Sequence, residues 1–155
     1  MRTAVRYFTR TGDDLWSKQG ALYLRALSWL ELPVRTISTT WSDSFSDPRS
    51  DFHDLGHMFL AELPEDAVKF NLVCGFADDF GRLWTQGMCN VAITGWEPRP
   101  LKPPEIDDVN RYDVVLTPRW DWLHEMRDSG VKLPRLLDPL DACLRSLLKE
   151  LGALE

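Results

Sequence analysis

Residues 3–38, TAVRYFTRTGDDLWSKQGALYLRALSWLELPVRTIS, decide the fold. A short apolar run over 3–9 breaks at Thr9-Arg10-Thr11-Gly12, and Asp13 or Thr11 is placed to cap a helix. That helix is expected over 14–31. Leu15, Leu22, Ala26 and Trp29 fall on its inward face, with Tyr23, Leu27 and Leu30 widening it. Gly20 inside the helix costs about 1 kcal/mol against alanine, which fits a helix lying close to a strand. Pro33 stops the helix, and 34–38 returns to the sheet. Apolar runs at 68–75, 90–95 and 113–117 repeat the pattern. Five strands alternating with helices imply βαβ crossovers. The expected fold is an α/β, three-layer Rossmann-like domain: a mostly parallel sheet of about five strands with helices on both faces. Ligands of such sheets gather where the strands end.

The remaining segments fill in this plan. Residues 38–50 are rich in turn formers and read as a long loop of the kind that often binds or covers ligands. A helix is expected from 51 to about 63, and a short one carrying Phe80, Leu83 and Trp84 closes at Gly87. Thr117-Pro118 reads as an N-cap followed by proline at the first helical position, and Asp138-Pro139 repeats that signature. Leu140, Leu144, Leu147, Leu151 and Leu154 form a core stripe at helical spacing. No internal repeat, low-complexity tract or domain boundary interrupts the 155 residues.

Composition limits the function. Hydrophobic residues make up 44% and charged residues 27%, a globular balance. The net charge of −6 disfavours nucleic acid and anionic membranes as partners, since both need a basic face. Cys74, Cys89 and Cys143 are widely spaced, with no CxxC pair and an odd count. With no apolar leader and no stretch of membrane-spanning length, the expectation is a cytoplasmic protein.

In the sheet plan the strand ends gather Arg10, Thr11, Asp13, Thr40, Ser42, Asp78, Glu97, Arg99 and Arg119 at one edge. Glu97 directly follows a buried strand and reads as a base or hydroxyl acceptor. Arg10, Arg99 and Arg119 have the fork that holds a phosphate or carboxylate. Of seven tryptophans, Trp16, Trp29, Trp84 and Trp122 fit helix faces on the sheet. Trp41, Trp96 and Trp120 fall at loops or strand ends, where aromatics stack a sugar or base or anchor a protein. In Asp51-Phe-His53-Asp54-Leu-Gly-His57 the two histidines stand four apart, the spacing of a helical zinc site. Asp54 is shorter than the usual general base, Gly56 weakens the helix and no obvious third ligand follows, although folding could bring in His124 or a distant carboxylate. The segment reads as a polar helix start, with a small metal hydrolase as the alternative.

The segment NVAITGWEPRPL at 90–101, followed by YDVVLTPRWDWLHEMRDSGV at 112–131, resembles the amino-terminal half of two-Rossmann-domain (GT-B) glycosyltransferases. There a strand often ends in Trp-Glu before Leu-Pro, a later strand ends in Pro-Ser, and its helix ends in Gly-Val. Trp96, Glu97, Pro98 and Leu101 answer the first part, and Pro118, Trp120 and Gly130-Val131 the second. The resemblance implies an acceptor-side half-domain. The donor domain with its sugar-nucleotide site has no room after Val131, and the Gly-x-Gly-x-x-Gly phosphate fingerprint is absent. The expectation is therefore a binding protein without a cofactor, which docks a protein partner as adaptor or inhibitor, or captures a sugar or nucleotide at the strand ends. The acceptor half of a split glycosyltransferase is the alternative.

Overall fold

The computed structural model describes residues 3–40 and 47–154. Its centre is a six-stranded, all-parallel sheet in the order β2-β1-β3-β4-β5-β6. The strands are β1 (Ala4–Thr9), β2 (Val34–Ser38), β3 (Val68–Cys74), β4 (Cys89–Ile93), β5 (Val114–Thr117) and β6 (Arg135–Leu136). The helices are α1 (Leu15–Ser28), α2 (Gly56–Phe59), α3 (Asp79–Leu83), α4 (Pro103–Val109), α5 (Trp120–Asp128) and α6 (Leu140–Glu150). The α/β reading with helices on both faces stands, and the sheet has one strand more than expected. Strand β6 is two residues long and has no apolar run. Parallel pairing of Arg135 with Leu116 creates it, a contact between segments that local pattern does not reveal.

The two faces of the sheet differ in chemistry. Tyr7, Leu72, Val91 and Val114 stand side by side in register on one face. Helix α1 lies there, and the Tyr7 hydroxyl donates to the Gly20 carbonyl at 2.8 Å. A Cβ on Gly20 would collide with the Thr9 hydroxyl, so glycine at this position lets the helix approach the strand. Arg6, Asn71 and Asn90 occupy the other face in the same register. The Asn71 amide donates to Asn90 Oδ1 at 2.8 Å and to the Leu83 carbonyl at 2.9 Å. The Asn90 amide donates in turn to the Thr85 and Met88 carbonyls. Two buried amides thus fix the turn from α3 into β4.

Helix α1 buries Tyr23, Ala26, Leu27 and Leu30 of the expected face but not its other three residues. Trp16, Gly20, Leu24 and Leu27 are buried, whereas Leu15, Leu22 and Trp29 are 41%, 51% and 63% exposed. At 3.6 residues per turn the exposed three lie opposite Gly20. The cap also moves by one residue. Asp14, not Asp13 or Thr11, accepts from the Ser17 amide at 3.0 Å.

Three other helix starts shift for local reasons. The Thr117 carbonyl accepts the Leu137 amide at 2.8 Å, so Thr117 finishes β5 and α5 begins at Trp120. In α6 Pro139 rather than Asp138 occupies the N-cap position, with no side-chain capping bond, and the helix buries Leu144, Leu147 and Leu148. The helix expected over 51–63 is broken into a 3-10 turn at His53–Leu55 and the single turn of α2. Its buried residues Phe52, Leu55 and Met58 recur every third position, the spacing that a 3-10 rather than an α-helix keeps on one face. Among the described residues no helix is long and apolar enough to cross a membrane.

Urea denaturation of two variants checks this packing. Gly20→Ala is expected to cost about 1–3 kcal/mol through the clash with Thr9. Trp29→Ala should cost less than about 1 kcal/mol, because its ring faces solvent.

Candidate binding edge

All six strands run the same way, so the turns after β1, β2, β3, β4 and β5 meet along one edge. The strand order reverses between β1 and β3, where doubly wound sheets open their crevice. Here an ion pair bridges that point. Arg10 Nη1 lies 3.4 Å from Asp79 Oδ2, and its Nε lies 3.7 Å from Asp14. Asp79 is buried, accepts the Phe76 amide at 3.0 Å and also takes Arg82 at 2.9 Å. Asp14 meanwhile fills the amino end of α1, the position an incoming anion would need. Desolvation raises its pKa, but bonds from Ser17 and the charge of Arg10 leave the carboxyl below its ordinary range.

The turns after β1 and β2 are knitted together. The Thr11 amide donates to Thr40 Oγ1 at 3.2 Å, and the Thr11 and Ser38 hydroxyls stand 2.8 Å apart. Asp13 and Asp78 are exposed beside them. Trp41 and Ser42 lie outside the described residues.

The turns after β4 and β5 rest on an aromatic platform. Trp16 stacks on Phe76 with centroids 6.5 Å apart and meets Trp122 at 5.9 Å. The Trp16 indole donates to the Glu97 carbonyl at 2.8 Å, which ties α1 to the β4–α4 turn. Arg99 lies 5.3 Å from the Phe76 ring centroid and grips Glu105 at 2.8 and 2.9 Å. Glu105 also caps α4 by accepting the Lys102 amide at 2.7 Å. Gly95 touches the Trp122 ring so closely that any side chain there would overlap it.

Above this platform the edge is open. Arg119 covers the Trp122 ring at 4.8 Å and grips Asp121 at 2.7 and 2.9 Å. Trp120 is 62% exposed, with one side supported edge-on by His124 at 4.8 Å. The Glu97 side chain is exposed and Trp96 is half-buried. The charge of Glu97 contributes to the raised pKa of Arg119, after the larger effect of the Asp121 bonds, so the two turns adjoin.

The structure therefore brings Trp96, Glu97, Arg99, Arg119 and Trp120 into one neighbourhood, and Arg10, Thr11, Asp13 and Thr40 into another. Each of the three arginines already meets a carboxylate of its own chain. Sequence reasoning missed Asp79, the hub for two arginines, although the doubled acid Asp78-Asp79 at a helix start was its visible trace. The Trp16–Phe76–Trp122 platform left no such trace, because its rings come from three separate segments.

The histidine pair lies elsewhere. His53 sits in the 3-10 turn and His57 in α2, both exposed. Arg25 holds Asp54 at 2.6 and 3.0 Å, and that bond lowers the Asp54 pKa to about 2. Among the described residues no group of three or more His, Cys, Asp and Glu side chains is placed to hold a metal. No family model, curated protein or solved structure matches the chain.

The clamp on the β4–α4 turn has a pH signature. The Arg99 bonds, partly opposed by desolvation, hold the Glu105 carboxyl below the ordinary glutamate range. A depressed carboxyl contributes stability above its unfolded pKa and loses it as pH falls through the folded one. Glu105→Gln should thus lower the urea midpoint at neutral pH, and the gap to the parent should close toward about pH 3.

Proposed function

We propose that this chain is a binding protein, built on a glycosyltransferase-like half-domain, that docks a protein partner through the turns after β4 and β5. The observation that carries this reading is Trp120, an indole mostly open to solvent yet propped by His124 and flanked by the clamped Arg119. Tryptophan and arginine dominate the binding energy of protein interfaces. A ring already held in place loses little conformational freedom on association. The platform of Trp16, Phe76 and Trp122 keeps this surface stiff from below.

Charge suggests the partner's chemistry. The turns at 10–14, 75–80, 95–101 and 117–121 carry three more acidic than basic residues. A partner with a basic rim would be steered to this edge, and its association would weaken with salt. A catalytic role for Glu97 has less support, because its side chain stands exposed and a general base works best with a pKa tuned by burial.

The test is an affinity capture from native lysate with three baits: parent, Trp120→Ala and Trp29→Ala. The two tryptophans are almost equally exposed but lie on different surfaces. A near-stoichiometric partner should be retained by Trp29→Ala and lost by Trp120→Ala, with affinity falling tenfold or more, about 2 kcal/mol. Equal retention by both variants would overturn the docking reading. Should the partner carry a nucleotide-binding Rossmann domain, the chain is the acceptor half of a split transferase. Glu97→Gln should leave the urea midpoint unchanged and weaken capture most at low salt.

A further inference from the structure

Arg6, in the middle of β1, is a cation served by neutral groups. Among the described residues it takes part in no salt bridge. It donates to Asn71 Oδ1 at 3.3 Å, to the Thr85 hydroxyl at 2.6 Å and to the Met88 sulfur at 3.6 Å. Its guanidinium lies 5.1 Å from the Phe8 ring centroid, and partial burial pulls the Arg6 pKa below the ordinary guanidinium value. A thioether is a weak acceptor, so the Met88 contact is the poorest of the three.

Met88 is also a methionine that a solute can reach. It is half-buried on the turn before β4, whereas Met58 and Met126 are buried. Met1 lies outside the described residues. The turn that carries Met88 is fixed, because the Asn90 amide donates to the Met88 carbonyl at 3.0 Å and its oxygen accepts the Thr85 amide at 3.0 Å. The sulfur is thus held beside Arg6. The adjoining Cys89 is the weaker nucleophile: burial first, and then the charge of Asp113, raise its pKa and keep it as the thiol.

We propose that Met88 is a site of reversible oxidation, where a peroxide converts the thioether to a sulfoxide whose oxygen accepts from Arg6. The sulfur lone pair attacks one peroxide oxygen. An S–O bond forms as the O–O bond breaks, and with hydrogen peroxide the other oxygen leaves as water. Sulfur gives up two electrons and the peroxide takes them. The sulfoxide oxygen is a stronger acceptor than the thioether it replaces, and its bond from a guanidinium is charge-assisted. Oxidation of methionine usually disrupts apolar packing. Here it supplies an acceptor to a cation that has only neutral ones, so it tightens the link between β1 and the turn before β4. Methionine sulfoxide reductases restore the thioether. This turn lies at the amino end of β4, away from the docking edge, so the two readings stand or fall separately.

The test treats the folded full chain with dilute hydrogen peroxide and follows each methionine by peptide mass spectrometry. Met88 should gain one oxygen about tenfold faster than Met58 or Met126. The oxidised parent should then unfold at a urea concentration roughly 0.3 M higher, a gain absent from Met88→Leu and from Arg6→Gln. Met88→Leu also reports the effect of oxidation at any other residue. Should Arg6→Gln fail to fold, the guanidinium NMR resonances of Arg6 in the parent give the second reading. They should shift on oxidation and return after treatment with sulfoxide reductases for both epimers. Equal reactivity of the three methionines, a urea midpoint that does not rise on oxidation, or Arg6 resonances that stay in place would overturn the proposal.

Discussion

The hydrogen bond between the Asn71 and Asn90 side chains, at the centre of the sheet, is the constraint on which the arrangement rests. Both amides are buried, and a buried amide without partners costs about 1–3 kcal/mol. A one-residue slip of β4 against β3 would turn Asn90 to the opposite face, where Tyr7, Leu72 and Val91 stand. The pair therefore fixes register where apolar side chains of similar size would tolerate several alignments. Its remaining donors and acceptors hold the α3–β4 turn and reach Arg6 on β1. With three neighbouring strands locked in phase, their ends fall in line, and the carboxyl edge of the sheet takes its shape.

That edge divides into two parts. At the strand-order reversal, Arg10 and Asp79 close the crevice, and Asp14 occupies the helix end that binds phosphate in many related architectures. Farther along, the Trp16–Phe76–Trp122 platform lifts the turns after β4 and β5 toward solvent. Bidentate pairs of Arg99 with Glu105 and Arg119 with Asp121 pin those turns. The Arg119–Asp121 pair, exposed on both sides, adds little to stability, and its effect is on orientation, because it leaves Trp120 as a fixed projection.

The helices show how far local pattern reaches. In α1 apolar residues surround the axis almost completely, so the spacing that picks out Leu15, Leu22 and Trp29 fits no better than the one through Trp16, Leu24 and Leu27. Contact between Gly20 and Thr9 selects the second stripe. Around 53–59 the buried Phe52, Leu55 and Met58 are three apart. An α-helical template counts them imperfectly, and the segment bends into a 3-10 turn. The cap-and-proline pair Thr117-Pro118 met the rule for a helix start, but pairing with the strand at Arg135–Leu136 had already taken the carbonyl that the helix needed.

The sequence by itself determined the alternation of strands and helices, the close approach marked by Gly20, and the residues that end the strands. Each of these follows from properties of neighbouring residues: period, turn chemistry and missing side chains. Tertiary structure alone decided which face of α1 is buried, that a sixth strand joins the sheet, and that Arg10, Arg99 and Arg119 are each paired internally. It also decided that Arg6 and Met88, from different segments, meet. Such facts depend on contacts between residues far apart in the chain. Their geometry is set by register and packing, which no local pattern encodes.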